Sequence, residues 1–314
     1  MRQPFRYWHE VVLAVLLVAL LAWARVVEPQ FVRWDSQVEL STHLWELALL
    51  AVPMTLIIIT AGIDLSVGSA LALCAVVLGL AYEHGISPWI SAIFAIATGV
   101  TAGALNGVFV AKVKVHPLIV TLATLAAFRG IAEGISLGRP ISGFPDSFAM
   151  ISRGQWFGVP IPCLFFLAAA GIAAVVLMKT PTGRFLYAMG HNETATRFSG
   201  VAVDRIKFWL YTASGAAAGV AAVLLVARRN TAKADLGAGL ELDVITAVVL
   251  GGTSIFGGRG NMLGTLLGIL LIHETREFVS WHWNQSELNL IVTGFVLVAS
   301  VLLNRLFSRS IVRS

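Results

Sequence analysis

Charge is scarce in this sequence. Asp, Glu, Lys and Arg make up 12% of its 314 residues, against 57% hydrophobic residues. Soluble domains carry about a quarter charged residues, so an ordinary soluble fold is excluded and a helical protein crossing a membrane many times is implied. An outer-membrane barrel is excluded by pattern, because barrels show short alternating segments and the apolar runs here are long and unbroken. Cysteine is almost missing. Cys74 and Cys163 lie far apart, each within an apolar run, which excludes a disulfide framework and a metal motif. The sequence has no polar domain to carry a basic stripe, so the formal charge of +5 reflects basic loops and no nucleic-acid partner is expected.

Catalytic signatures are missing too. No Gly-x-x-x-x-Gly-Lys-[Ser/Thr] occurs, so the chain has no phosphate-cradling loop of its own. His273-Glu274-Thr275-Arg276-Glu277 starts like a metalloprotease helix but lacks the second histidine, and reads as an outer helix end with snorkelling charges. Gly-x-Ser-x-Gly does not occur, and the seven histidines never form a close pair. The expectation is a chain that catalyses no reaction and holds no metal.

What the chain does have is apolar length. Ten runs approach or reach the roughly 20 residues a crossing needs: 11–27, 44–60, 63–82, 88–111, 117–136, 161–178, 207–227, 244–257, 261–279 and 288–304. The first, behind Arg2 and Arg6, lacks a convincing cleavage site and reads as a retained helix rather than a signal peptide. The eighth is too short for a comfortable crossing and reads as a half-helix or re-entrant segment. The fold class expected is all-α, with about ten transmembrane helices, some interrupted or re-entrant.

Ten crossings put both termini on one side. With that side cytoplasmic, thirteen of the 22 Lys and Arg fall inside and eight outside, with Arg129 inside the fifth run. Arg228, Arg229 and Lys233 vote the other way, partly offset by Asp235, Glu241 and Asp243. The segment 137–160, with three prolines, reads as an extracytoplasmic cap. The segment 179–207 is the one sizeable inner loop, and loops of that length in a compact chain are functional or disordered. Within it Asn192 suits a helix cap, Glu193 suits the first turn, and Ser199-Gly200 closes the helix. Capping alone leaves two readings open, a docking helix or a well-capped surface turn.

Two glycine-studded motifs follow apolar runs. Gly62-Ile63-Asp64-Leu65-Ser66-Val67-Gly68 comes after Leu47 to Thr60, and Leu250-Gly251-Gly252-Thr253-Ser254-Ile255-Phe256-Gly257-Gly258-Arg259-Gly260 comes after Val244 to Val249. Lipid-facing backbone cannot stay unpaired, so such breaks persist only where protein or a water-filled path covers them. Finding the device twice points to a weak internal repeat. Asp64 invites two readings, an ion-coupling site of a secondary transporter or a cap on the next helix. The cap is favoured, since Asp64 stands at a helix start on a predicted inner boundary, and an ion relay is weakened by Thr253 and Ser254 standing where a partner acid would in the second motif. Gly99, Gly103 and Gly107, then Gly215 and Gly219, then Gly264 and Gly268 are spaced for close helix packing. The nine tryptophans fall mostly near predicted interfaces, as belt residues do.

Three blocks together make the chain resemble the permease subunits of bacterial ATP-binding-cassette sugar importers, the group carrying ribose, xylose, arabinose, rhamnose and the autoinducer-2 signal. They are Gly62 to Ser69, Gly190-x-Asn192-Glu193-x-Ala195-Thr196-Arg197-x-Ser199-Gly200-Val201, and Ala247 to Gly260. The resemblance runs from about residue 40 to 304, and the three blocks in order are far more specific than any one. It implies a single transmembrane permease domain over 1–314 in the bacterial inner membrane, paired with a second copy or a sister permease. A cytoplasmic ATPase, holding the ATP and Mg²⁺, is expected to dock on 179–207, and a periplasmic sugar-binding protein to deliver the substrate. The coupling helix would use Gly190, Asn192, Glu193, Ala195, Arg197, Ser199 and Gly200. The translocation-path motifs would be Gly62, Asp64, Ser66 and Gly68, with Gly251, Gly252, Gly257, Gly258 and Gly260. Thr194 departs from the second alanine usual in relatives. No sugar-contacting residue is fixed by these motifs.

Overall fold

A computed structural model describes residues 8–283, with 288, 291, 292, 294 and 295. The tenth expected span, 288–304, falls largely outside the described residues, as do Arg2, Arg6, Arg305, Arg309 and Arg313. The chain begins with α1 (Trp8–Val27) and α2 (Trp34–Leu40), then α3 (Trp45–Ile59), α4 (Val67–Glu83), α5 (Pro88–Gly107) and α6 (Pro117–Ser136). A cap follows, made of β1 (Ile141–Ser142), α7 (Asp146–Arg153), β2 (Gln155–Trp156) and β3 (Val159–Pro160). Then come α8 (Ile161–Lys179), α9 (Pro181–His191), α10 (Glu193–Phe198) and α11 (Val203–Arg229). The described part closes with β4 (Thr231–Ala232), α12 (Leu240–Leu250) and α13 (Met262–Trp283).

The protein is an all-α membrane protein. Among the described residues, five helices are long and apolar enough to cross a bilayer: α1, α5 with its final turn, α6, α8 and α11. A sixth is added if α2 and α3, bent 56° at their junction, count as one span. Prolines set several starts. Pro88, Pro117 and Pro181 stand at the first position of α5, α6 and α9, where the missing N–H costs nothing.

The bundle has a dry centre and an apolar rim. Nearly every residue of α3 is buried, as expected for a helix hydrophobic all round, and most of α11 is buried beside it. By contrast, α1, α6 and α8 leave most of their apolar surface outward. The glycine stripe of α5 faces that of α11 in antiparallel register, Gly99 against Gly215 and Gly219, Gly103 against Tyr211 and Gly215, Gly107 against Phe208. In lipid, where apolar burial drives little association, this close backbone approach holds helices together. The spacings thus serve packing within the chain. Gly264 and Gly268 do the same for α13 against Ala247 and Gly251. Eight of the nine tryptophans are exposed, and Trp45 alone is buried in the core.

The eighth apolar run behaves as its length suggests. α12 has 11 residues, about 16 Å or half a hydrocarbon core. The stretch before it is not helical and runs down the side of α4, with Ala232 against Gly79 and Gly237 against Gly68. Arg129 in α6 covers that exposed backbone, donating from Nη1 to the carbonyls of Ala234 and, at 2.9 Å, Leu236. A half-buried arginine in a span is thereby explained: it pairs the carbonyls of the non-helical stretch before α12.

The 137–160 cap is tied to the same end of the bundle. β1 pairs antiparallel with β4, Arg153 Nη2 donates to Arg228 O at 2.7 Å, and Phe144 stacks on Tyr82 with ring centroids 4.6 Å apart. One expectation fails here. His273 and Glu274 do not snorkel; they are 7% and 8% exposed, turned into the bundle by the packing of α13 on α3 and α12.

Candidate functional site

The second and third sequence blocks meet the end of α3, just ahead of the first block, at one end of the bundle. α3 stops at Ile59, the chain turns through Ala61 in the left-handed region (φ 61°), and the free Ile59 carbonyl accepts the N–H of Gly258 at 2.9 Å. That bond satisfies an orphan carbonyl of one broken helix with an orphan donor from the other break. Gly190, near the end of α9, lies against both partners, since a Cβ there would collide with Ile59 O and Gly258 N. A Cβ on Gly257 would meet Ala61 Cβ and Gly190 backbone at 2.9 Å. Tyr187, one turn back on α9, donates from its hydroxyl to Gly260 O at 2.8 Å. The loop 179–207 therefore packs directly, backbone on backbone, against both helix breaks.

α10 stands next to this junction. Asn192 caps it as expected, its Oδ1 accepting the Ala195 N–H at 2.9 Å. Gly200, at φ 86°, closes it, with Val201 N–H reaching back to Thr196 O. Glu193 does more than favour the first turn: it pairs with Lys207 at 2.5 Å and Arg197 at 3.2 Å. Arg197 in turn grips Asp204 with two bonds of 2.7 and 2.6 Å. Those bonds push the Arg197 guanidinium above its ordinary range, the Asp204 hydrogen bond being the main cause. Each pair is partly exposed and individually weak, but the network of four groups holds α10 on the first turns of α11. Thr194, Ala195 and Ser199 remain exposed.

Sequence reasoning missed the feature that dominates this face. Phe198 is 87% exposed, and Phe256 in the second glycine motif is 80% exposed. The signal was present, since Phe198 is the one large apolar residue in the helix Glu193-Thr194-Ala195-Thr196-Arg197-Phe198.

The other motif residues disperse. Asp64 and Ser66 are buried, but in a separate polar cluster between α4, α5 and α11. Asp64 Oδ1 accepts Ser66 N–H at 3.0 Å and Ser66 Oγ–H at 2.6 Å, and Oδ2 accepts Ser214 Oγ–H at 2.8 Å. Asn106 Nδ2 donates to Ser66 Oγ at 2.8 Å. Ser66, not Asp64, occupies the N-cap position of α4, so Asp64 acts two residues earlier, on the Ser66 N–H. Gly62 lies under Tyr211, Gly68 against the re-entrant stretch at Gly237 and Glu241, Gly251 against Gly264, and Gly252 against His9.

The Asp64 cluster gives a prediction. All three bonds to the carboxylate come from donors, and a serine hydroxyl can rotate to accept from an amide. Asp64→Asn is expected to keep the cluster intact, whereas Asp64→Ala strands two hydroxyls and an N–H at about 1–3 kcal/mol per buried group. Thermal melting of the purified chain should separate them: a clear fall for alanine and little change for asparagine.

A bundle of apolar helices with paired glycine breaks, a short helix α12 and a capped helix on one face defines a multi-pass membrane protein. The family profile described as "Branched-chain amino acid transport system / permease component" matches residues 38–301. The ribose import permease protein RbsC of Bacillus subtilis (strain 168) is 37% identical over 291 residues, 92% of this chain and 90% of the relative. RbsC of Haemophilus influenzae is 35% identical over 292 residues, with the same coverage. The autoinducer 2 import system permease protein LsrD of Escherichia coli O9:H4 is 31% identical over 302 residues, 94% of this chain and 92% of the relative. No solved structure matches the chain. The chain belongs to the permease family of bacterial ATP-binding-cassette sugar importers. These relatives are transport subunits rather than enzymes, and they favour the importer over the ion-coupled alternative at Asp64.

Proposed function

We propose that the chain is the membrane-spanning subunit of an ATP-driven importer, moving a small sugar across the bacterial inner membrane by alternating access. The full domain, 1–314, then makes about ten crossings with both termini cytoplasmic, and pairs with a second copy or a sister permease. The loop 179–207 receives a cytoplasmic ATPase that carries the ATP and Mg²⁺; the 137–160 cap lies outside, where a periplasmic binding protein delivers the sugar. The chain's own contribution is mechanical, without a cofactor.

One observation carries this reading: the capped α10, with Phe198 standing out of it, is continuous through Asn192 and Gly190 with the contact that joins both helix breaks. A push on α10 moves α9, and α9 has no side chain at Gly190 to absorb the motion. The displacement passes to Ile59 and Gly258, the ends of α3 and the α12–α13 connection. Those are the breaks where the bundle has least helical hydrogen bonding to lose, hence the hinges at which alternate access is expected. Gly62, Asp64, Ser66 and Gly68 on one side, and Gly251, Gly252, Gly257, Gly258 and Gly260 on the other, would flank the moving path.

Docking is expected to rest on Phe198, with Glu193 and Arg197 keeping the helix in place from within the chain. Burying a phenylalanine contributes about 1.5–3 kcal/mol, so Phe198→Asp should cut recovery of the co-purified ATPase at least about tenfold. Membrane insertion and the melting temperature should stay near the parent's, because Phe198 contributes little to the folded chain alone. Full recovery of the ATPase with Phe198→Asp would remove the docking assignment.

A further inference from the structure

The 137–160 cap ends in a small hairpin whose tip breaks the usual turn chemistry. β2 and β3 pair antiparallel, Gln155 with Pro160 and Trp156 with Val159, so Phe157 and Gly158 alone make the turn. Both have positive φ, 49° and 76°. A two-residue turn of that hand is usually asparagine or aspartate followed by glycine, because other side chains are disfavoured in the left-handed region. Here a phenylalanine takes the first place, and it is 91% exposed. Trp156 beside it is 63% exposed, with the two ring centroids 5.5 Å apart. A residue strained in its backbone and exposed in its ring points to a function outside the folded chain. The rest of the cap buries its aromatics: Phe144 stacks on Tyr82, and Phe148 meets Trp89 edge-on. Residues 154–160 carry no charge, and the nearest one in sequence, Arg153, is turned back onto the Arg228 carbonyl.

We propose that Trp156 and Phe157 insert into the headgroup layer of the bilayer, so that the hairpin anchors the cap to lipid. The proposal goes beyond the importer reading and does not rest on it. Depth is set by α8. That helix follows the hairpin directly and leaves most of its surface outward. Its 19 residues at 1.5 Å each span about 28 Å, close to the roughly 30 Å of a hydrocarbon core. Ile161 therefore lies at the edge of the core, and the outward apolar surface begins just beyond it, with Phe165 and Leu167 exposed. The hairpin base is locked to that point. Ile161 N–H donates to Gly154 O at 3.0 Å, and Gly154 N–H donates to Met150 O at 2.8 Å. A Cβ on Gly154 would collide with Met150 O and Ile161 Cδ1, so the base is also tightly packed. From Ile161 back to Phe157 is at most about 13 Å of extended chain, which keeps the tip within reach of the headgroups. Tryptophan suits this layer, its ring apolar and its indole N–H able to bond a headgroup or water. Water alone would favour a polar residue or glycine at the tip.

The full chain with Cys74→Ala and Cys163→Ala is given one new cysteine, Phe157→Cys or, as a water-facing reference, Thr194→Cys on exposed α10. Each is labelled with an environment-sensitive fluorophore and placed in nanodiscs of phosphatidylethanolamine and phosphatidylglycerol. Lipid spin-labelled near the headgroup is expected to quench the label at 157 at least about fivefold more than the label at 194, and aqueous iodide to show the reverse order. Iodide quenching at 157 equal to that at 194 would overturn the lipid anchor. Protection of 157 from both quenchers would overturn it as well, and would place a second copy of the chain over the hairpin. Hydrogen exchange gives a second readout, decided by its sign. Phe157→Asn supplies the residue a left-handed turn prefers, so a hairpin standing free in water should exchange its 154–159 amides more slowly in the variant. An anchored hairpin should exchange them at least about fivefold faster in nanodiscs, because the lost anchor outweighs the better turn. Slower or unchanged exchange in Phe157→Asn would overturn the proposal.

Discussion

Replacing Gly190 with valine should reduce uptake at least about thirtyfold while the ATPase still co-purifies. The Cβ would enter the space of Ile59 O and Gly258 N, which are joined to each other by a 2.9 Å hydrogen bond. Both are main-chain atoms, so neither can swing aside as a side-chain tip would. Overpacking of this kind costs about 1–3 kcal/mol, and losing a buried backbone bond adds about 1–3 more. The cost falls on the junction between α9 and the two helix breaks, whereas the exposed face of α10 lies eight residues further on at Phe198. Docking and transport should therefore separate: binding of the ATPase retained, delivery of its motion lost. Gly130→Ala and Gly171→Ala, at positions where a Cβ meets nothing within 4 Å, serve as neutral controls. Normal uptake in Gly190→Val would show that motion reaches the bundle by another contact.

The fold was legible wherever one segment carries its own signal. α6 is legible at 117–136 from apolar length alone, and the helix covers the same residues. The short eighth run was legible as a half-helix from its length. The Asn192 cap and the Gly200 stop were legible because both are local bonds. What could not be read depends on partners distant in sequence. Nothing in Ile59, Gly190 or Gly258 alone says that they touch, as the glycine motifs name the device and not its neighbours. Arg129 looked out of place until the Ala234 and Leu236 carbonyls were found beneath it, 105 and 107 residues away. His273 and Glu274 were assigned to a wet helix end on charge alone, and packing of α13 on α3 and α12 overrode that. Glu193 was read for the first turn of α10; that its acid also pairs with Lys207, 14 residues further on, and with Arg197 depends on how α10 lies on α11, which no local pattern shows.

Gly215→Leu should have the second large effect, and on assembly rather than coupling. A Cβ at 215 would run into Gly99 O and the backbone of Gly103, and those neighbours are already glycines, so no smaller residue exists to restore the fit. α5 and α11 would have to separate along their whole crossing, where Gly99, Gly103 and Gly107 face Gly215, Gly219 and Phe208. In lipid the helices gain little from the hydrophobic effect to offset that loss, since a lipid tail solvates leucine as well as a neighbouring helix does. Separation also reaches the polar cluster, because Ser214 on α11 and Asn106 on α5 both bond to the Asp64–Ser66 pair. Steric clash and stranded hydroxyls together should cost about 3 kcal/mol or more. The expected result is loss of the monodisperse peak in size-exclusion chromatography of the detergent-extracted chain. Gly134→Leu, which faces open space, should elute as the parent does. A Gly215→Leu chain that remained monodisperse but failed to transport would instead place movement between α5 and α11 inside the transport cycle, with their contact sliding rather than fixed.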